Sequence, residues 1–85
     1  MSVKIRLARR GAKKYPYYHI IVASSQSPRD GKFIEKIGTY NPNLNDTDQN
    51  RVVINSDRAL YWLKNGACPT ERVEKFLKKL SISLN

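Results

Sequence analysis

An 85-residue chain with sixteen Lys and Arg, seven Asp and Glu and one cysteine has room for a single domain, residues 1–85, and cannot contain an intrachain disulfide. No apolar run approaches the ~20 residues of a membrane span, and the first residues lack the apolar segment of a signal peptide. The formal net charge of +9 instead indicates a polyanionic partner, either nucleic acid or an acidic membrane surface.

The first predicted element is a half-buried strand over residues 3–8, because Val3, Ile5 and Leu7 alternate with other residues in a period of two. Gly11 and Pro16 interrupt regular structure after it, so we expect a mobile loop over residues 9–16. A basic run of this kind is often only a solvated surface. Here it would extend the polar face of the strand into one stripe of six cations, which are Lys4, Arg6, Arg9, Arg10, Lys13 and Lys14.

Residues 17–23 are aromatic and β-branched and predict a second, central strand, antiparallel to the first because only a short link joins the two. Tyr17 and His19 would share one face of this strand. His19 is the only histidine and Cys68 the only cysteine, so the two residues do not indicate a metal site. A histidine beside a basic patch is better explained as a hydrogen-bonding or stacking group.

A third strand, within residues 27–42, is predicted between two turns. Pro28 and the Asp30-Gly31 pair mark the first turn. Gly38 and the Asn41-Pro42 pair mark the second. The period of two gives the strand two faces. Phe33, Glu35, Ile37 and Thr39 share one of them, and Lys32, Ile34 and Lys36 share the other.

After a polar loop over residues 40–50 and a short strand over residues 51–54, the sequence predicts two helices, at about residues 57–65 and 71–80. Asn55 or Ser56 would cap the first helix and Thr70 the second, with a short turn over residues 67–69 between them. Apolar residues at spacings of three and four give each helix one buried face. We expect Trp62 and Phe76 in the core.

Together these elements predict an α+β fold. Its sheet has four strands over residues 3–54, mostly antiparallel or mixed, and the two short helices follow and pack on one face. Residues 1–36 hold nine cations and two anions, a net +7, whereas residues 37–85 hold seven cations and five anions, a net +2. One half of the molecule should therefore face the polyanion.

No constellation of catalytic residues is visible in the sequence. It has no Gly-rich phosphate loop, no His/Cys metal pattern and no nucleophile elbow. A metal-dependent nuclease needs converging carboxylates, and only Glu35 with an aspartate of the 40–50 loop could supply them. We therefore expect neither an enzyme nor a cofactor, and a nuclease is the weaker alternative.

Nucleic-acid binding explains the composition better. Cations on a strand and its flanking loops would neutralise phosphates. Tyr15, Tyr17 and Tyr40 could stack on unpaired bases or pack on riboses, although tyrosines in strands as often cover the edge of a core. A membrane surface usually binds a basic amphipathic helix, and the helices predicted here have mixed charge. A generic nucleic-acid-binding module stays open as an alternative.

Four segments of the chain, in their order and spacing, resemble one known family. They are Val-Lys-Ile-Arg-Leu-Ala-Arg-Arg-Gly from Val3, Tyr-His-Ile-Ile-Val-Ala from Tyr18, Ser-Pro-Arg-Asp-Gly-Lys-Phe-Ile-Glu-Lys-Ile-Gly-Thr-Tyr-Asn-Pro from Ser27, and Trp-Leu-Lys-Asn-Gly-Ala-Cys-Pro-Thr from Trp62. They are similar to bacterial small-subunit ribosomal protein S16, from Val3 to about Leu77.

The resemblance implies a structural protein of the small ribosomal subunit, in the bacterial cytoplasm or in the stroma or matrix of an organelle. It implies binding to the 5′ region of small-subunit ribosomal RNA, support of subunit assembly and contacts with neighbouring ribosomal proteins. It implies no catalysis, no cofactor, no membrane, no small-molecule substrate and no obligate homo-oligomer.

The resemblance also implies RNA-facing positions. They fall on Arg6, Arg9, Arg10, Lys13, Lys14, Arg29, Lys32, Tyr40 and Asn41. The residue pattern adds Lys4, Tyr17 and His19 to this set of predicted RNA-binding residues. The family often has a cation where this chain has Tyr15, His19 and Gln26, and an acid where it has Ser24. We therefore hypothesise that His19 replaces a charged phosphate contact with a weaker, pH-dependent one.

Overall fold

The computed structural model describes residues 2–27 and 32–84. The elements in chain order are β1 (Val3–Ala12), β2 (Tyr15–Ser24), β3 (Glu35–Tyr40), β4 (Val52–Ile54), α1 (Ser56–Lys64), β5 (Cys68–Pro69) and α2 (Glu71–Lys79). The strands form one sheet in the order β4-β3-β2-β1-β5. Neighbouring strands are antiparallel, except that β1 and β5 are parallel. The predicted α+β class is confirmed, and the predicted turn at Pro28 and Asp30-Gly31 lies outside the described residues.

The sheet has five strands rather than the predicted four. The additional strand, β5, lies within residues 67–69, which the sequence analysis assigned to a short turn. Its two residues pair with Lys4 and Ile5, and the amide of Thr70 donates to the carbonyl of Ile5 at 3.0 Å. Two residues are too few to show a period of two, and Pro69 is tolerated because β5 is an edge strand. The sheet is therefore mixed.

The predicted mobile loop over residues 9–16 is instead the end of a β-hairpin. The β1–β2 pairing continues to Ala12 and Tyr15, so only Lys13 and Lys14 form the turn. Gly11 has a φ of +86°, a backbone conformation that is strained for a residue with a side chain. Pro16 breaks no hydrogen bond between β1 and β2. The carbonyl of Ile5 accepts from the amide of Thr70, so the backbone polar groups of Ile5 point towards β5. These groups point to alternate sides along a strand. Gly11 lies six residues after Ile5, so its polar groups also point away from β2 and from Pro16.

A β-bulge in β3 changes which residues share a face. The β2–β3 register shifts between Ile20 and Ile21, so Ile37 is an extra residue between the paired Lys36 and Gly38. Ile37 is 3% exposed and lies in the core. Thr39 therefore pairs with His19 and faces the same way as Lys36, contrary to the prediction from an unbroken period of two.

Gly38 is part of a strand rather than a turn. A Cβ atom at this position would overlap the backbone carbonyl oxygen of Val53 on β4. Glycine is needed here because the β3 and β4 backbones approach closely.

The core lies between the sheet and the two helices, as predicted. Its fully buried strand residues include Ile5, Ile20 and Val22, and both helices contribute to the same cluster through Ala59, Val73, Phe76 and Leu77. Trp62 packs against this cluster with part of its surface exposed. The sequence pattern therefore identified the buried face of each helix correctly.

Both helix starts fall where the sequence placed them. The side chain of Asn55 accepts a hydrogen bond from the amide of Arg58 at 3.2 Å, so Asn55 rather than Ser56 is the N-cap of α1. Thr70 occupies the N-cap position of α2, but its side chain makes no capping hydrogen bond. Within the described residues, no helix is long and apolar enough to cross a membrane.

Two glycine substitutions distinguish the cost of overlap with a neighbouring strand from the cost of a strained backbone conformation. We expect Gly38→Ala to lower the free energy of unfolding by about 3 kcal/mol, because the added methyl group overlaps rigid backbone. Gly66 has a φ of +91°, and no atom lies within 4 Å of the point where a Cβ atom would stand, so Gly66→Ala should cost only about 1 kcal/mol. Urea unfolding of both variants measures the difference, and equal losses would contradict the close approach at Gly38.

Candidate nucleic-acid interface

The helices cover one face of the sheet and leave the other open. We call this second surface the open face. The strand registers place on it Lys4, Arg6, Ala8 and Arg10 of β1, Tyr15, Tyr17, His19, Ile21 and Ala23 of β2, Lys36 and Thr39 of β3, and Val53 of β4. Several residues that the sequence analysis singled out from separate strands are thereby brought onto one surface.

Positive charge dominates the open face. Lys4, Arg6 and Arg10 lie along β1, and Lys36 lies two strands away on β3. Among the described residues, none of the carboxylates lies on this face: β1 and β2 contain no Asp or Glu, and Glu35 pairs with Val22 and faces the helices. The described part of the open face therefore carries an excess of positive charge, which is the condition for binding a polyanion.

The centre of the open face is packed. Ala8, Ile21 and Ala23 form a small second cluster and are 0% exposed, although they do not face the helices. The longer side chains around them screen them from solvent, and the stems of lysine and arginine can do so while their charged ends stay in water. The cations thus stand around a packed floor instead of moving on a loop.

The six predicted cations do not form one stripe. Arg9 pairs with Tyr18 and therefore lies on the helix side of β1, away from Arg10. Arg9 Nη2 donates to the carbonyl of Lys13 at 3.0 Å, so its guanidinium braces the turn of the hairpin. Lys13 and Lys14 are exposed at the hairpin tip. The six cations therefore form two groups. Lys4, Arg6 and Arg10 lie on the open face, and Arg9, Lys13 and Lys14 lie at the hairpin tip.

Arg6 lies at the side of the open face near Ser27. Arg6 is half-buried, and its Nη2 donates to the carbonyl of Ser27 at 3.0 Å, which ties β1 to the connection after β2. Lys32 is exposed shortly before β3. Arg29 lies outside the described residues, so its predicted contact with RNA stays a prediction.

Tyr17 and His19 lie together at the centre of the open face, as the sequence predicted. Their ring centroids are 5.8 Å apart, with the ring planes at 84°. Burial lowers the pKa of His19 below its usual value of 6.5, and the positive charges of Lys36 and Arg10 lower it further. The imidazole is therefore neutral at neutral pH. The position where the family often has a cation thus carries no charge in this chain.

The known proteins that this chain resembles belong to one family. The family described as Ribosomal protein S16 matches residues 9–70. The chain is 56% identical over 84 residues to a Rickettsia typhi protein named small ribosomal subunit protein bS16, covering 99% of this chain and 76% of the relative. The same-named protein of Rickettsia prowazekii is 55% identical over 84 residues, with the same coverage.

The chain belongs to the ribosomal protein S16 family. Membership confirms the predicted family, a structural one rather than a family of enzymes. The relatives are bacterial proteins of the small ribosomal subunit, and the predicted location in that subunit, in the cytoplasm, agrees with them.

Two of the predicted RNA-binding residues serve the structure of this S16 protein. The Tyr40 ring is 5% exposed, stacks on Tyr18 with centroids 5.6 Å apart and packs on Phe76 at 4.7 Å. Its faces are covered, so Tyr40 is a core residue and the stacking alternative for it has no support. Asn41 Oδ1 accepts a hydrogen bond from the amide of Asn43 at 3.0 Å and shapes the loop after β3.

The nuclease alternative finds no site in the part of the chain that the structure describes. Glu35 faces the helices, where Arg58 Nε donates to Glu35 Oε2 at 2.6 Å and Trp62 Nε1 donates to Glu35 Oε1 at 3.1 Å. Among the described residues, no three His, Cys, Asp or Glu side chains are grouped so that they could hold a metal ion. Glu35 instead joins β3 to α1.

Lys36 is a member of the candidate interface that was not among the predicted RNA-binding residues. The sequence pattern placed it on the strand face opposite Ile37. The signal was present, since a lysine on the strand face opposite a buried isoleucine must point away from the core. In the structure Lys36 is exposed and close enough to His19 to lower its pKa.

The titration of His19 tests the charge of the open face directly. Because the chain has one histidine, its imidazole proton resonances are unambiguous. We expect an NMR titration midpoint below 6.5, and a higher midpoint in Lys36→Gln, since that variant removes a cation that lowers the pKa. Lys75→Gln, on the far side of the molecule, should leave the midpoint unchanged. A wild-type midpoint at or above 6.5 would contradict this description.

The Glu35 cluster should contribute to stability in a pH-dependent way. The hydrogen bond from Arg58 holds the pKa of Glu35 below its usual value of 4.5. Its stabilisation is therefore present above pH 4.5 and is lost as the pH falls through the lowered value. We expect Glu35→Gln to reduce the thermal midpoint by about 5 °C at pH 7 and by much less at pH 3.

Glu71→Gln is the matched control for this prediction, because its ion pair with Lys75 is exposed and 4.0 Å long. Scanning calorimetry should find it close to wild type at both pH values. If Glu35→Gln were equally close to wild type at pH 7, Glu35 would have no structural role.

Proposed function

We propose that the chain is a structural constituent of the small ribosomal subunit that binds the 5′ region of its RNA through the open face and the hairpin tip. One observation carries this proposal: Lys4, Arg6, Arg10 and Lys36 share a face on which no described carboxylate lies. Family membership supplies the ribosomal setting, since the matched relatives are named as small-subunit proteins.

Electrostatic attraction to phosphates supplies most of the affinity. Each phosphate that a Lys or Arg neutralises releases counterions, and this release drives association. The cations of the open face project from paired strands, so little backbone conformational entropy is lost when they meet the RNA. The β2–β3 pairing ends at Tyr18, so the hairpin tip extends beyond β3. The cations of the tip can therefore enter a groove of the RNA.

Selection of the correct RNA depends on shape rather than on base sequence. The major groove of an A-form helix is too deep and narrow for side chains to read its base edges. A rigid arrangement of cations instead selects a folded RNA whose phosphates have the matching spacing. Binding would hold neighbouring RNA segments together and so support assembly of the subunit, alongside adjacent ribosomal proteins.

The hairpin and the loop after β3 are joined, which extends the rigid surface. Asn43 Nδ2 donates to the carbonyl of Pro16 at 3.0 Å across 27 residues of sequence. The same loop is fixed to β4 by the amide of Asn41, which donates to the Arg51 carbonyl at 2.7 Å. The proposed interface therefore includes an ordered rim next to Tyr17.

A salt titration measures the proposed mechanism. If about six phosphates are neutralised, affinity for a 5′-domain transcript should fall by roughly three orders of magnitude between 50 and 200 mM salt. Arg10→Gln and Lys36→Gln should each weaken binding and reduce the slope of log affinity against log salt by about one.

Lys78→Gln is the control, because Lys78 pairs with Glu74 at 3.5 Å on α2, away from the open face. It should leave both affinity and slope nearly unchanged. A salt-independent affinity of the wild type, or an equal effect of the control, would refute the mechanism. Co-sedimentation with small subunits in a high-salt gradient distinguishes a ribosomal protein from a generic nucleic-acid-binding module.

A further inference from the structure

His19 is an uncharged polar group at the centre of the open face. Its partners in the ladders are Ala8 on β1 and Thr39 on β3, both small residues. Neither neighbouring strand places a large side chain directly opposite the imidazole, and the residue stays partly exposed. The buried Ala8, Ile21 and Ala23 nearby have no polar side-chain atom, so they offer no competing hydrogen-bonding group.

Two cations lie on opposite sides of His19. Arg10 is paired with Tyr17, two residues before His19 on β2, and Lys36 is paired with Ile21, two residues after it. The three side chains therefore lie along a diagonal across β1, β2 and β3, with His19 at the midpoint. The charged or titratable groups that face the imidazole are Arg10 from β1, Tyr17 from its own strand and Lys36 from β3.

The chemistry of the ring limits what it can bind. Nδ1 of His19 is buried and has no hydrogen-bond partner among the described residues, so Nε2 is the nitrogen that can meet a ligand. A neutral imidazole either donates or accepts at Nε2, depending on its tautomer. A ribose hydroxyl both donates and accepts and suits either form, whereas a phosphate oxygen only accepts and would be bound better by the neighbouring cations.

We propose that Nε2 of His19 contacts a ribose hydroxyl of the bound RNA, while Arg10 and Lys36 contact phosphates on either side of that sugar. In an RNA strand a ribose lies between successive phosphates, which matches an uncharged group between two cations. This inference rests on the proposed function and adds to it. It replaces the hypothesis of a pH-dependent phosphate contact at His19, and it gives the open face a means to distinguish RNA from DNA, since the 2′-hydroxyl is specific to RNA.

Binding of His19 variants to the 5′-domain transcript separates a sugar contact from a phosphate contact. His19→Ala should weaken binding about two- to tenfold, the range for one neutral hydrogen bond, and leave the salt slope unchanged. His19→Gln, whose amide also donates and accepts, should retain most of the affinity. Wild-type affinity should be constant between pH 7.0 and 8.5. Circular dichroism melting curves establish that both variants are folded.

An interference experiment identifies the hydroxyl. A pool of transcripts carrying 2′-deoxynucleotides at random positions is divided into bound and unbound fractions and sequenced. One or two positions should interfere with binding of the wild type but not of His19→Ala. The absence of any such position, a salt slope reduced by about one in His19→Ala, or affinity that falls between pH 7.0 and 8.5 would overturn the assignment.

Failure of this inference is distinguishable from failure of the proposed function. If the wild type binds with a steep salt dependence while His19→Ala lowers the slope, only the sugar contact is refuted. If wild-type binding is independent of salt, the electrostatic interface is refuted and the sugar contact with it.

Discussion

The β1–β2 ladder is the interaction on which the rest of the structure depends. It pairs ten residues of each strand, from Val3 with Ser24 to Ala12 with Tyr15, and it forms the centre of both faces of the sheet. Ile5 and Ile20 on one side give the helices a surface to cover, and Arg10 and His19 on the other stand above the packed floor. Because side chains alternate along a strand, the same backbone pairing fixes the core and the charged surface together.

Separation of charge between the two faces follows from this arrangement. The helix side contains Glu35, whose carboxylate is held by Arg58 and Trp62. The bulge at Ile37 is what permits this, because it lets both Glu35 and Gly38 face the helices while Lys36 and Thr39 face away. If β3 instead kept a strict alternation through Ile37 back from Tyr40, Glu35 would lie on the open face and Lys36 on the helix side. A local irregularity in one strand thus keeps a carboxylate off the cationic surface.

Regular patterns in the sequence predicted the regular parts of the fold. The alternation at Val3–Leu7 and the three-and-four spacing around Phe76 gave the strand, the helix and their buried faces. What the sequence did not predict depends on contacts distant in the chain or on single residues. Strand β5 has two residues and exists only because β1 is beside it. The extended hairpin depends on Gly11 adopting a positive φ. Tyr40 was predicted to bind RNA because the sequence pattern does not reveal its packing on Phe76, which lies 36 residues away.

The parallel pairing of β5 with β1 has a consequence for the order in which the protein forms during synthesis. The β1–β2 hairpin is local and can close once its own residues have left the ribosome. Its outer edge at Lys4 and Ile5 must wait for Cys68 and Pro69, more than sixty residues later. The nascent chain therefore carries a cationic hairpin before its apolar side is covered, and completion of the core coincides with emergence of the C-terminal helix.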